Sequence, residues 1–181
     1  MKRFTAAFIG ASVVVASTTT ISKPSYALCK NHLFRCTLNL IHKQHNYYRD
    51  KHCVPRLEWS VTLFLEAKAW ADRCTFDHND PERVQRAEGE NIAAWSIPYG
   101  VQWDWPVNAW YGEIQYYDYN NPVFNKTTGH FTQVVWKSTT HVGCAKAICP
   151  HAGGQWDYWV CRYSPSGNVD GQFLANVPPP C

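Results

Sequence analysis

GHFTQVVWKST, residues 129–139, sets one titratable ring, His130, at the head of an apolar run. Phe131, Val134 and Val135 follow at i, i+3 and i+4, the spacing of one helical face. A short helix with a buried face is expected, with His130 in its first turn. Such a ring is either a core histidine with a hydrogen-bond partner or a member of a site. Residues far from it in sequence decide between the two.

After this stretch, HVGCAKAIC (141–149) and DYWVCRYS (157–164) read as strands, with Gly153 and Gly154 as the turn between them. Before it, NNPVFNKTTG (120–129) is a loop. WPVNAWYGEIQYY (105–117) is a helix with Asp104 as its cap and Pro106 in its first turn. GENIAAW (89–95) precedes the loop SIPYGVQWD (96–104). SVTLFLEAKAWADRC (60–74) is a helix opened by Ser60; Leu63, Phe64, Ala67, Trp70 and Cys74 share one face. A polar loop containing Pro81 follows it. CTLNLIHKQHNYYRDKH (36–52) is the first helix, with Leu38, Ile41, His45 and Tyr48 at steps of three and four, stopped by Cys53 and Pro55. Helices around a small antiparallel sheet make an α+β fold, a three-layer α-β-α sandwich.

The N-terminus, MKRFTAAFIGASVVVA, has a basic start and an apolar run too short to span a bilayer. It reads as a signal peptide within residues 1–27, cleaved after Ala16, Ser17 or Ala27, ahead of one domain over 28–181. No later segment is apolar enough for a membrane helix. Without Lys2 and Arg3 the chain keeps 15 basic against 14 acidic residues. That balance argues against nucleic acid or an anionic membrane as partner. The eight cysteines are even in number, which in a secreted chain reads as four disulfides, and no CxxC pair suggests a zinc knuckle.

Glu113 is the most informative candidate for chemistry. Trp110, Ile114 and Tyr117 put it on the apolar side of its helix, where a carboxylate needs a partner. Glu90 lies between a polar loop and an apolar turn. His78 follows Cys74 by four residues, so a disulfide there would hold it in place. One sequon occurs, Asn125-Lys126-Thr127, a candidate glycosylation site in the loop before His130.

These stretches resemble a known family. GHFTQVVWKST and YWVCRYSPSGNV (158–169) look like the two signatures of the CAP superfamily, the cysteine-rich secretory, antigen 5 and pathogenesis-related 1 proteins. CTFDH (74–78), GENIA (89–93) and WYGEIQYYDY (110–119) match further blocks in order, so the resemblance covers about residues 36–177. It implies the α-β-α sandwich and a cavity with two histidines and two glutamates. By motif these are His78, Glu90, Glu113 and His130. The two imidazoles would hold zinc weakly, since two protein ligands are fewer than the usual three or four, and the glutamates would orient the rings. It also implies the disulfides Cys74–Cys149 and Cys144–Cys161. The other four cysteines pair either as Cys29–Cys36 with Cys53–Cys181 or as Cys29–Cys53 with Cys36–Cys181. Cys36 and Cys53 flank a helix too long to bridge.

In function, the resemblance implies a secreted, extracellular protein that binds a sterol or other lipid, with a defence or effector role. The aromatic loop would supply Tyr116, Tyr117, Tyr119 and Phe124, flat rings with polar tips suited to a ring system bearing one hydroxyl. A first alternative is an extracellular signalling or immune-modulating scaffold that engages a protein partner. A second is a hydrolase in which Ser96 works with His78 and Glu90, although no GxSxG elbow is present. The channel-regulating members carry a C-terminal cysteine-rich module that this sequence lacks, which turns expectation away from channel block.

Overall fold

The computed structural model describes residues 33–96, 104–152 and 154–181, with side chains from Leu40 onward. Residues 1–27, where a signal peptide is expected, Cys29 and the side chain of Cys36 lie outside the described residues.

The chain runs α1 (Leu33–Asp50), β1 (Glu58–Trp59), α2 (Val61–Ala71), α3 (Pro81–Gln85), β2 (Gly89–Ser96), α4 (Trp105–Gly112), a 3₁₀ turn (Glu113–Tyr116), α5 (Gly129–Val135), β3 (His141–His151), β4 (Gly154–Ser164) and α6 (Phe173–Asn176). The strands form one sheet in the order β1-β3-β4-β2. β3 pairs antiparallel with β4 from His141↔Ser164 to His151↔Gly154, and β4 pairs antiparallel with β2 from Gly89↔Tyr163 to Ser96↔Trp156. Two-residue β1 joins β3 in parallel, so the sheet is mixed rather than wholly antiparallel.

Alternation along the inner strands builds the three layers. Val142 and Cys144 of β3, with Trp159, Cys161 and Tyr163 of β4, join one core with Ile41, Val107, Trp110, Phe131 and Val135 from α1, α4 and α5. The opposite faces, Ala145, Ala147 and Cys149 with Tyr158 and Val160, form a second core with Ala67, Trp70 and Ala71 of α2. The start of α2 touches β3 backbone to backbone. A Cβ at Gly143 would come within 2.2 Å of Phe64 N and 2.5 Å of Leu63 C, so only glycine lets the layers approach there.

Ser60 caps α2 as expected, its hydroxyl accepting from Leu63 N at 3.3 Å. Asp104 does not cap α4. Its backbone is already helical (φ −92°, ψ −10°), and the side chain makes no capping bond. The helix expected over 105–117 ends at Gly112 and tightens into the 3₁₀ turn. Two further elements form where the sequence reading assigns no helix or strand. GENIAAWS is an edge strand, and PERVQ is a short helix that opens on Pro81, with the Asp80 carboxylate accepting from Glu82 N at 3.0 Å.

Three disulfides among the described residues tie the layers. Cys74–Cys149 joins the end of α2 to β3, and Cys144–Cys161 joins residues directly opposite on β3 and β4. These are the two pairings the resemblance implies. Cys53–Cys181 fastens the C-terminus beyond α1, which removes the alternative that joined Cys53 to Cys29.

One charged cluster makes stability depend on pH. Arg86 contacts three carboxylates, Glu66 at 3.2 Å, Glu82 at 3.2 Å and Glu88 at 2.9 Å. Burial, and then the neighbouring Glu88 carboxylate, raise the pKa of Glu66 above its ordinary value. The folded state therefore holds that proton more tightly than the unfolded chain. The contribution is full below the ordinary carboxylate range and is lost as pH rises through the raised value. Glu66→Gln removes the penalty while leaving Arg86 two partners. The variant is expected to match or exceed the parent at pH 7, by up to about 1 kcal/mol, with the gap closing near pH 4. Urea unfolding at the two pH values measures it; a variant less stable at pH 7 than at pH 4, relative to the parent, would reverse the assignment.

Candidate functional site: two histidine–carboxylate pairs

α5 carries His130, and its dipole is matched by charge at both ends. Thr128, its N-cap residue, makes no side-chain capping bond. Glu113, from the 3₁₀ turn, does that work from a distance. Its Oε2 accepts from the amides of His130 at 3.0 Å and Phe131 at 3.1 Å. At the other end, Arg49 of α1 donates to the carbonyls of Val134 at 3.0 Å and Trp136 at 2.8 Å. An anion at the N-terminus and a cation at the C-terminus are the favourable arrangement for a helix dipole. The carboxylate on an apolar face thus has its partners.

The other oxygen of Glu113 meets the ring. Oε1 lies 2.7 Å from His130 Nδ1. A carboxylate only accepts, so Nδ1 carries a proton, and in the neutral ring Nε2 is left with a lone pair. The ring lies nearly parallel to Trp110, with centroids 6.1 Å apart, and Asn91 of β2 donates to His130 O at 3.1 Å.

The second pair is built differently. His78 sits in the loop after the Cys74 cross-link, and its Nδ1 lies 2.6 Å from Glu90 Oε1. Glu90 enters β2 opposite Arg162 of β4, whose Nη1 is 2.7 Å from Glu90 Oε2. Here too Nδ1 donates and Nε2 stays open. Arg162 packs toward Trp70 of α2, whereas Asn91, the next residue of β2, bonds to Tyr163 on the other face. Glu90 and Asn91 thus leave the edge strand β2 on opposite faces, Glu90 toward His78 and Arg162, Asn91 toward Tyr163 and the backbone of His130.

His45 is the contrasting core histidine. Its Nδ1 donates to Ile41 O and its Nε2 accepts from Tyr163 Oη, each at 2.8 Å. Burial pushes its pKa down to about 3, so it stays neutral. It also lies within 4.8 Å of Cys144 and Cys161, the one trio of metal-capable groups that close among the described residues. Those sulfurs are bonded to each other, so the trio is no metal site. No three of His78, Glu90, Glu113 and His130 converge as tightly.

Ser96 is not brought to the His78–Glu90 pair. It ends β2 opposite Trp156, six residues beyond Glu90, or roughly 20 Å along an extended strand. In the aromatic loop, Tyr117 packs edge-on against Tyr119 (4.9 Å) and Phe131 (5.5 Å), while Tyr116 and Phe124 are exposed. The hydroxyls of Tyr117 and Tyr119 are buried without a hydrogen-bond partner among the described residues. Burial raises both phenol pKa values, that of Tyr119 to about 12. Asn125 is exposed, with Oδ1 accepting from Thr127 N at 2.9 Å. Sequence reasoning missed Arg49 and Arg162, because a buried arginine reads like a surface one until the fold is known.

A disulfide-tied α-β-α sandwich with two histidine–carboxylate pairs at the edge of its sheet defines the class. The chain belongs to the CAP family, described as the cysteine-rich secretory protein family, whose model matches residues 42–163. It is 44% identical to Protein PRY2 of Saccharomyces cerevisiae over 138 residues, 75% of this chain and 39% of that protein. The chain spans about half or less of the length of the first curated relatives it matches. Among solved structures, BmVAL-1 is similar with a TM-score of 0.65 and 26% identity, covering 80% of this chain and 84% of that one. The crystal structure of NaASP2 with Zn2+ shares the fold, with a TM-score of 0.62 and 21% identity over 81% of this chain and 85% of that one. No helix among the described residues is long and apolar enough to cross a membrane.

Proposed function

We propose that this protein is secreted and binds a sterol or similar lipid through its aromatic loop, in a defence or effector role outside the cell. The carrying observation is the pair of buried phenol hydroxyls on Tyr117 and Tyr119 that lack partners among the described residues, in the same stretch of chain as the exposed side chains of Tyr116, Val123 and Phe124. A buried hydroxyl without a partner costs about 1–3 kcal/mol, and a ligand hydroxyl placed between the two rings would recover it. The exposed apolar groups would cover the ligand's flat face. The Asn125 sequon lies beside Phe124, so a glycan there would border the same loop.

The donor set fits weak zinc. His78 and His130 each offer an Nε2 lone pair, held by a carboxylate on the opposite nitrogen, which is the usual support for a zinc-binding imidazole. Two such nitrogens are fewer than structural or catalytic zinc takes. Bound zinc would supply a Lewis acid. The chain's own residues fix the rings and their protonation whether or not it binds.

Equilibrium binding of radiolabelled cholesterol to the purified protein tests the lipid reading. Saturable binding is expected, weakened about tenfold in Tyr117→Phe/Tyr119→Phe, the equivalent of ~1.4 kcal/mol. Unsaturable binding, or an unchanged affinity in the double variant, would overturn it.

A further inference from the structure

We infer that Arg162 is the positioning residue of the His78 half of the site: it fixes the Glu90 carboxylate and through it the tautomer and orientation of the His78 ring. About half of the His78 side chain faces solvent, so packing does not orient it. Its one side-chain hydrogen bond among the described residues is to Glu90 Oε1. What fixes Glu90 therefore fixes His78.

The side chain of Glu90 is 1% exposed and that of Arg162 is fully buried. The guanidinium is forked. Nη1 lies 2.7 Å from Glu90 Oε2, a buried charge pair rather than an aligned hydrogen bond, and Nη2 donates to Asp80 Oδ2 at 2.7 Å. Asp80 is the residue that caps α3, two positions after His78. One planar group from β4 thus joins the strand that carries Glu90 to the loop that carries His78. Arg83 spans the same gap through the backbone, donating to His78 O at 2.8 Å and Glu88 O at 3.0 Å, with its Nε 3.9 Å from Glu90 Oε1.

Stability does not explain this choice. A buried ion network is often no more stable than apolar side chains of equal volume, because desolvation offsets the attraction. A fork that holds two carboxylates at fixed separation supplies geometry instead. The His130 pair needs no such device, since helix amides hold Glu113. The two rings are positioned independently, and each serves as the control for the other.

The inference rests on reading His78 as a site residue, but its test needs no ligand, so its failure is distinct from failure to bind lipid or zinc. Histidine-labelled protein is examined by ¹⁵N NMR at pH 8, above the ordinary imidazole pKa of about 6.5, where the tautomers are resolved. The parent is expected to show His78 and His130 both protonated on Nδ1. In Arg162→Lys, one ammonium cannot hold both carboxylates. The Nδ1–H fraction of His78 is expected to fall by at least half while His130 is unchanged. Arg162→Met should act in the same direction and further. Should the methionine variant not fold, the lysine variant decides. A His78 signal in Arg162→Lys identical to the parent would overturn the inference, as would equal changes at both histidines, which would mean a general loss of structure.

Discussion

Arg49→Met is expected to destabilise the protein by about 3–5 kcal/mol, measured by denaturant unfolding with the disulfides intact. Arg49 is fully buried, and the groups it donates to are backbone carbonyls. Besides Val134 and Trp136 at the end of α5, it donates to Pro55 O at 2.7 Å and Thr139 O at 3.0 Å. Methionine fills most of the volume and recovers the desolvation cost of the guanidinium. It takes the donor from the buried carbonyls of Val134 and Thr139, each a loss of about 1–3 kcal/mol, so the loss wins, although Trp136 O keeps the Thr139 amide and Pro55 is open to water. Burial pushes the Arg49 pKa down to about 10, which keeps it charged at neutral pH. Arg49→Lys should recover only part of the deficit, because three donors on one nitrogen cannot span positions that a five-donor fork reaches. A loss under 1 kcal/mol in Arg49→Met would mean that water or a shift of α5 satisfies those carbonyls.

Arg49 also shows where sequence reading runs out. The apolar spacing of α5, the Ser60 cap and the alternation of β3 and β4 are local signals, and they locate those elements in the sequence. β2 was not legible in the same way. It is an edge strand that mixes Glu90 and Asn91 with apolar residues, because each polar side chain meets a partner from another element. α3 is five residues long, too short for a periodic signal, although Asp80, Pro81 and Glu82 spell a helix start. The site residues were nameable by motif, but not their partition into pairs. That Glu113 serves His130 while Glu90 serves His78 depends on a turn and a strand that meet only in the folded chain. Arg162, which meets the carboxylate of the His78 pair, and Arg49, at the far end of the helix that carries His130, left no mark in the sequence.

Glu113→Gln should separate the two tasks of that carboxylate and move a proton across the His130 ring. The parent carboxylate accepts on both oxygens: Oε2 from two amides of α5, and Oε1 from His130 Nδ1. Glutamine has one accepting oxygen and one donating NH2 group. Turning the oxygen to the ring would set NH2 against two amide N–H groups, a donor facing donors. Turning the oxygen to the amides keeps both capping bonds and aims NH2 at Nδ1. The second orientation satisfies more groups, so it wins, and Nδ1 becomes the acceptor. The ring proton then moves to Nε2, the nitrogen that is open in the parent. Stability should fall by only about 1 kcal/mol, the worth of the lost negative charge at the helix N-terminus. On the proposed zinc reading, affinity through His130 should fall by about 10–100-fold, because the lone pair offered to the metal is replaced by an N–H. ¹⁵N NMR of the His130 ring reads the tautomer, and calorimetric zinc titration reads the affinity. A variant that keeps His130 protonated on Nδ1 would show that the ring, and not the cap, controls how this side chain is oriented.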